Sequence, residues 1–184
     1  RESRMVGREA DQAAIGARID DLVTEGGSAT IVIEGGAGLG KSRLAGEAIR
    51  LARGRGVRVL TAAADAVENA TSYYAWRSMF SDLLEVTPQT MADPHSLEVP
   101  CDPQLRRMRP LLSSIVPVGI PDNELTAAMD GSVRAENTKL LLASILRQTT
   151  AATPALVVVE DAHWLDSNSW ALLLEIVRSV PRAL

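Results

Sequence analysis

The sequence predicts an α/β fold: a three-layer α/β/α arrangement with a parallel sheet between two layers of helices. Three observations carry this prediction. Short β-branched runs without polar alternation stand at residues 29–35, 57–64 and 155–161, as expected of strands covered on both faces. The stretches between them repeat apolar residues at spacings of three and four, the period of an amphipathic helix. Finally, five of the seven positions from Gly35 to Lys41 are glycine or alanine, forming a turn that joins the first run to a helix. Strand, turn, helix and strand make a βαβ unit, whose crossover is right-handed.

The elements follow in order. Ala13, Ile15, Ile19, Leu22 and Val23 place a helix over Glu9 to Thr24, ended by Gly26 and Gly27. The run at 29–35 reads as a buried strand, Ser42 to Ala52 as a helix closed by Arg-Gly-Arg-Gly, and Val57 to Ala64 as a second strand. Seven of the nine prolines then fall between Pro88 and Pro121, so helices there are short and interrupted. Residues 65–131 are therefore expected to form an irregular, mainly helical insertion. Within it Trp76, Met79, Phe80, Leu83 and Leu84 share a helical face, which reads as core packing in preference to a partner-binding patch. A helix over Val133 to Gln148 presents Leu141, Leu142, Ile145 and Leu146 inward, Ala155 to Asp161 forms the third strand, and Ser169 to Val180 the last helix. The predicted organisation is one domain: an N-terminal element and helix at 1–27, the βαβ unit at 28–64, the insertion at 65–131, and helix, strand and helix at 132–184.

Composition narrows the class. With 184 residues, 46% hydrophobic and 23% charged, the chain has the make-up of one ordinary globular domain. A net charge of −4, with no Lys/Arg block, argues against a direct nucleic-acid contact from this segment. Cys101 is the only cysteine, and no apolar span of about 20 residues could cross a bilayer, so no membrane is expected and the cytoplasm is the default location. Opening on Arg-Glu-Ser-Arg-Met, the chain reads as a piece of a longer polypeptide.

Residues Gly35, Gly40, Lys41 and Ser42, with Gly36, Ala37, Gly38 and Leu39 between them, satisfy the phosphate-binding pattern G-x-x-x-x-G-K-[ST]. Glycines let the chain wrap with positive φ and bring main-chain N–H groups to phosphate oxygens, while the following helix aims its positive end at the same anion. Lys41 is placed to reach the β and γ phosphates and the Ser42 hydroxyl to ligate Mg²⁺. The chain has seventeen arginines and two lysines, so the lysine here is not a generic surface charge. A compact ammonium suits a tight cradle where a planar guanidinium does not. The expected cofactors are ATP and Mg²⁺, with Arg43 beside them.

Glu160 and Asp161 end the run Leu-Val-Val-Val, at the carboxyl end of a buried parallel strand, where open α/β sheets bind ligands. The pair resembles a Walker B element, in which one acid holds the metal and the other orients the attacking water. The usual order is Asp then Glu; here it is reversed, and Glu160 is assigned to metal and Asp161 to water. The catalytic set is thus Lys41, Glu160 and Asp161. A solvent-exposed acidic cap on a strand is the plainer alternative.

Three stretches together, MVGREADQAAIGARIDDLV, IEGGAGLGKSRLAGEA and LVVVEDAHWLDSNSWALL, resemble the nucleotide-binding domain of STAND ATPases, a signal-transducing branch related to AAA+ proteins. More narrowly they look like the ATPase modules of large bacterial LuxR-type regulators and of class III nucleotidyl cyclases. The resemblance implies a P-loop NTPase fold of the ASCE/AAA+-like kind, truncated before its fourth core strand, of which Arg182 to Leu184 are the first residues. It places Val6, Gly7 and Arg8 near the adenine; the residues alone read there as a capped helix start with its charges in solvent. It also matches His163 and Trp164 to a family His-Trp pair. The implied activity is a regulatory ATPase switch that binds ATP and ADP, works on other domains of the same polypeptide and has a possible homo-oligomer. Hydrolysis is expected to be weak or absent in these residues, with turnover below about 1 per second. Alternatives are a noncatalytic, nucleotide-stabilised docking module, using the aromatic segment Tyr73 to Leu84, and a small P-loop phosphotransferase.

Overall fold

The computed structural model describes residues 7–36, 38–181 and 183. Helix α1 spans Glu9–Thr24, with Glu9 and Asp11 in its first turn favouring the positive helix end, and buries Ile15, Ile19 and Leu22. Helix α2, Lys41–Gly54, buries Leu44, Ala48 and Ala52 at spacings of four, one stripe turned toward α1 and the sheet. Asp20 of α1 and Arg55, just past α2, form a bidentate ion pair that ties the two helices together.

Strand β1 is Arg58–Ala63 and strand β2 is Ala155–Glu160; they pair in parallel from Arg58 opposite Ala155 to Ala63 opposite Glu160. These two strands form the sheet among the described residues, and the chain is otherwise mostly helical. The strand expected at 29–35 is a correction: residues 28–36 run without strand structure. A strand exists by its ladder, and no described segment lies alongside to supply one. On the flank of β2 away from β1, Ala155 makes an isolated parallel bridge with Ala183. One side of the 28–36 run still packs, since Ala29 and Ile33 rest on the core between α1 and α2, while Val32 is 72% exposed. The pattern that predicted a strand buried on both faces is thus satisfied on one.

The insertion is helical and interrupted, as the prolines require. A 3₁₀ turn at Tyr74–Trp76 leads into α3, Arg77–Leu83, and then α4, Pro88–Ala92, which Thr87 and Thr90 open with a reciprocal capping box. Another 3₁₀ turn, Pro94–Ser96, precedes a long 3₁₀ helix, Pro103–Ser114, which carries Pro110 inside it. Arg109 pins that segment by donating from Nη2 to the Leu97 carbonyl at 2.7 Å. Asp102 fastens its start to the long central helix by accepting from Arg147 and Gln148. Short helix α5, Glu124–Ala127, is capped by Asn123, and α6, Gly131–Ala152, by Asp130. After β2 come a 3₁₀ turn, Ala162–Trp164, and α7, Ser167–Ser179.

Two cores lie on opposite faces of the sheet. One holds α1 and α2 against Leu156 and Val158; the other holds α3, α6, α7 and the 3₁₀ segment against Leu60, Ala155, Val157 and Val159. Alternate residues of β2 therefore face alternate cores, the period of two that a strand imposes. Trp76 and Phe80 of the aromatic segment are completely buried in the larger core, beside Leu141, Leu142, Ile145 and Leu146 of α6.

Candidate functional site

The glycine-rich turn enters α2 with the geometry its composition predicts. Gly38 and Gly40 have φ of 78° and 79°, in the left-handed region that penalises a side chain, and Gly40 is the residue capping α2. The Gly40 carbonyl accepts from the Leu44 N–H at 3.0 Å, so the helical ladder begins inside the motif. Lys41 folds back over the turn, its ammonium donating to the carbonyls of Gly35 at 2.9 Å and Gly36 at 3.0 Å. Leu39 closes over the same glycines: its Cδ1 lies 3.4 Å from where a Cβ on Gly35 would sit. Ser42 and Arg43 follow on the exposed side of the first turn of α2.

Arg8 reaches this turn from 31 positions earlier. Its Nη2 donates to the Leu39 carbonyl at 3.3 Å while Nη1 donates to Asp11 at 2.9 Å. Gly7, with φ of 81°, turns the chain just before Arg8, which caps α1. The structure thus brings the N-terminal element onto the glycine-rich turn; Val6 and Ala37 lie outside the described residues. Sequence reading placed Arg8 near the site but did not foresee Asp11 as its partner, although the spacing of three on a helix is a signal for such a pair.

At the carboxyl end of β2, Glu160 is the last strand residue and Asp161 turns the chain, with φ of 50°. Both carboxylates are exposed. An aspartate tolerates that left-handed conformation better than most residues, and non-glycine residues held there cluster at functional sites. His163 and Trp164 sit in the following 3₁₀ turn, rings 4.9 Å apart at 44°. Asp166 organises what comes next. Its carboxylate caps α7 by accepting from the N–H groups of Asn168 and Ser169, and it accepts from the Tyr73 N–H at 3.1 Å. Tyr73 in turn donates its hydroxyl to the Ala135 carbonyl at 2.9 Å, and burial, with the negative charges of Asp166 and Glu136, pushes its pKa up to about 12. Asp166 was missed in the sequence, yet an aspartate directly before Ser-Asn-Ser and an apolar run is a helix-start signal.

Ser42, Glu160 and Asp161 offer hard oxygen donors, the chemistry that suits Mg²⁺, which keeps several waters and takes one or two carboxylates. Among the described residues no group of three or more His, Cys, Asp or Glu is arranged to hold a metal, so a dedicated protein cage is absent there. An open groove of about 480 Å³ between α1 and α2 is lined by Gln12, Gly16, Asp20, Glu47, Leu51 and Arg55, and by none of the motif residues.

A glycine turn with left-handed hinges, a lysine folded over it, a helix rising from it and an acid-tipped parallel strand packed against that helix define the phosphate-binding class of α/β nucleotide proteins. Compared with known families, residues 4–183 match the AAA ATPase domain, and the chain belongs to that family. No curated protein and no solved structure matches it. Membership makes this a nucleotide-binding ATPase domain of AAA type.

Proposed function

We propose that the protein is an ATP-binding regulatory ATPase, a nucleotide switch within a larger signalling or transcription-regulatory polypeptide of the STAND kind. One observation carries the reading: Lys41 and two left-handed glycines shape a turn of bare main chain at the positive end of α2, where a triphosphate is the fitting anion. Lys41 exchanges the Gly35 and Gly36 carbonyls for the β and γ phosphates, and main-chain N–H groups of 35–42 hold the rest. Ser42 and Glu160 would hold Mg²⁺, which would supply positive charge against the charge developing on the phosphates. Asp161 orients the attacking water, and Val6, Gly7 and Arg8 lie on the adenine side. Binding of nucleotide then biases attached domains through its unequal affinity for two arrangements.

The docking-module alternative loses its surface, because Tyr73, Ala75, Trp76, Met79, Phe80, Leu83 and Leu84 are buried and Tyr74 alone of the aromatics there is exposed. The test is a calorimetric melt. Mg-ATP at about 100 times its dissociation constant stabilises the fold by about 2.7 kcal/mol, and Lys41→Ala removes that gain. A melt unmoved by Mg-ATP, or moved equally in the variant, ends the proposal.

A further inference from the structure

The bond from Arg8 to Leu39 crosses from the N-terminal element to the middle of the glycine-rich turn, and its geometry has a specific effect there. A peptide unit is planar and trans, so the carbonyl of Leu39 and the N–H of Gly40 point in opposite directions. Whatever holds that carbonyl also aims that N–H. Arg8 takes the carbonyl on its own side, so the Gly40 N–H is directed away from Arg8. Gly40 is the residue on which α2 starts, where main-chain donors and the helix dipole act on an anion together. Main-chain bonds hold the Leu39 N–H and the Gly40 carbonyl on either side of the Leu39–Gly40 unit, but the unit itself keeps freedom to turn, because the left-handed φ of 79° at Gly40 is one of several conformations glycine can take.

Arg8 can serve as such a fastener because it is itself fixed. One nitrogen of the planar guanidinium bonds to Asp11 at 2.9 Å, and this sets the plane in which the second nitrogen meets Leu39. Asp11 sits in the first turn of α1, anchored by Ile15 and Ile19 in the core beneath. The path runs from core to α1, to Asp11, to Arg8, to one peptide of the phosphate turn.

We propose that Arg8 and Asp11 form a clamp that orients the Gly40 N–H toward bound phosphate, so that both are positioning residues for the polyphosphate. The proposal rests on the nucleotide reading above and assigns to Arg8 a task separate from contact with adenine. A base contact is felt only by ligands that have a base. A clamp on the turn is felt by any ligand the turn holds.

The experiment compares magnesium tripolyphosphate, which lacks base and sugar, with Mg-ATP by titration calorimetry on the protein and on Arg8→Lys, Asp11→Asn and the double variant. Lysine keeps the charge but has a single nitrogen in place of the planar fork whose two separate nitrogens meet Asp11 and Leu39, and the two side chains are partly exposed, so the fold is retained; a thermal melt of each variant checks this. Arg8→Lys is expected to weaken both ligands by the same factor, about threefold to tenfold, on a scale where tenfold is about 1.4 kcal/mol. Asp11→Asn weakens both as well, and the double variant is no worse than Arg8→Lys, because Asp11 acts through Arg8. In the protein without ligand, the Gly40 amide resonance shifts in Asp11→Asn, a change that general destabilisation does not produce at one residue. Loss of ATP affinity with tripolyphosphate affinity intact overturns the clamp in favour of a base contact. Unchanged affinities, or additive losses, overturn it too while leaving the nucleotide reading in place; wild-type protein that binds neither ligand overturns both.

Discussion

Tyr73 is a side chain whose chemistry its surroundings displace. It adopts a left-handed backbone with φ of 59°, is 4% exposed, and its hydroxyl donates a hydrogen bond to the Ala135 carbonyl. The neutral phenol is the form this site holds, and so its pKa rises from 10.0 to about 12. The sign follows directly. Below pH 10 native and unfolded phenols are both protonated and the site is indifferent to pH; between pH 10 and about 12 the unfolded chain sheds the proton that the native one keeps, and stability falls. Denaturant melts across that window are expected to show this fall in the protein and to lose most of it in Tyr73→Phe, which starts less stable by about 1 kcal/mol for the missing hydrogen bond. An identical slope in the variant assigns the decline to other groups. Residue type alone could not have revealed this. The sequence shows an aromatic stripe at helical spacing, whereas the fate of the one hydroxyl depends on which carbonyl of α6 the fold delivers to it.

Elements were legible in proportion to how much of their burial is local. Helix α1 has the limits the periodicity gives it, Glu9–Thr24, because its apolar stripe lies within it and its Gly26-Gly27 stop just behind it. Strands β1 and β2 fall within one residue of the expected limits, their β-branched runs having each other as partners. The run at 28–36 is likewise β-branched but has no strand partner among the described residues, and a ladder is a property of two segments, not one. At the candidate site, the glycine-rich motif was legible because each of its residue types answers a local demand, of φ, of charge or of helix start. The join between Asp166 and Tyr73, 93 positions apart, was not. That join makes Asp166 the hinge between the acid-tipped strand, α7 and the insertion. Asp166→Ala removes a helix cap and leaves the buried Tyr73 N–H without its acceptor, an expected loss of about 2 kcal/mol in denaturant unfolding. Asp166→Asn, which still accepts hydrogen bonds, loses no more than half as much; equal losses in the two variants refute the capping role.

For the molecule as a whole, the two cores differ in what they contribute. The larger, which buries Trp76 and Phe80, joins the insertion to α6 and α7; the smaller, purely aliphatic, carries the helices that start at Glu9 and Lys41. The phosphate turn therefore stands on the slighter foundation, with the Asp20–Arg55 pair as its outer brace. Hydrogen bonding to Arg55 holds the Asp20 carboxyl below the ordinary carboxylate range, so this brace is present above that range and is lost as acid protonates Asp20. Such an arrangement could let one half of the protein melt ahead of the other. The structure argues against it: tryptophan fluorescence, dominated on the buried side by Trp76, and far-ultraviolet circular dichroism, which sums all helices, are expected to give superimposable transitions. Two separated midpoints show independent halves. The reason lies in the alternation along β2, with Leu156 and Val158 turned one way and Ala155, Val157 and Val159 the other. That strand is a party wall: neither room can be demolished while its neighbour stays weatherproof, so six residues make two unequal compartments share a single fate.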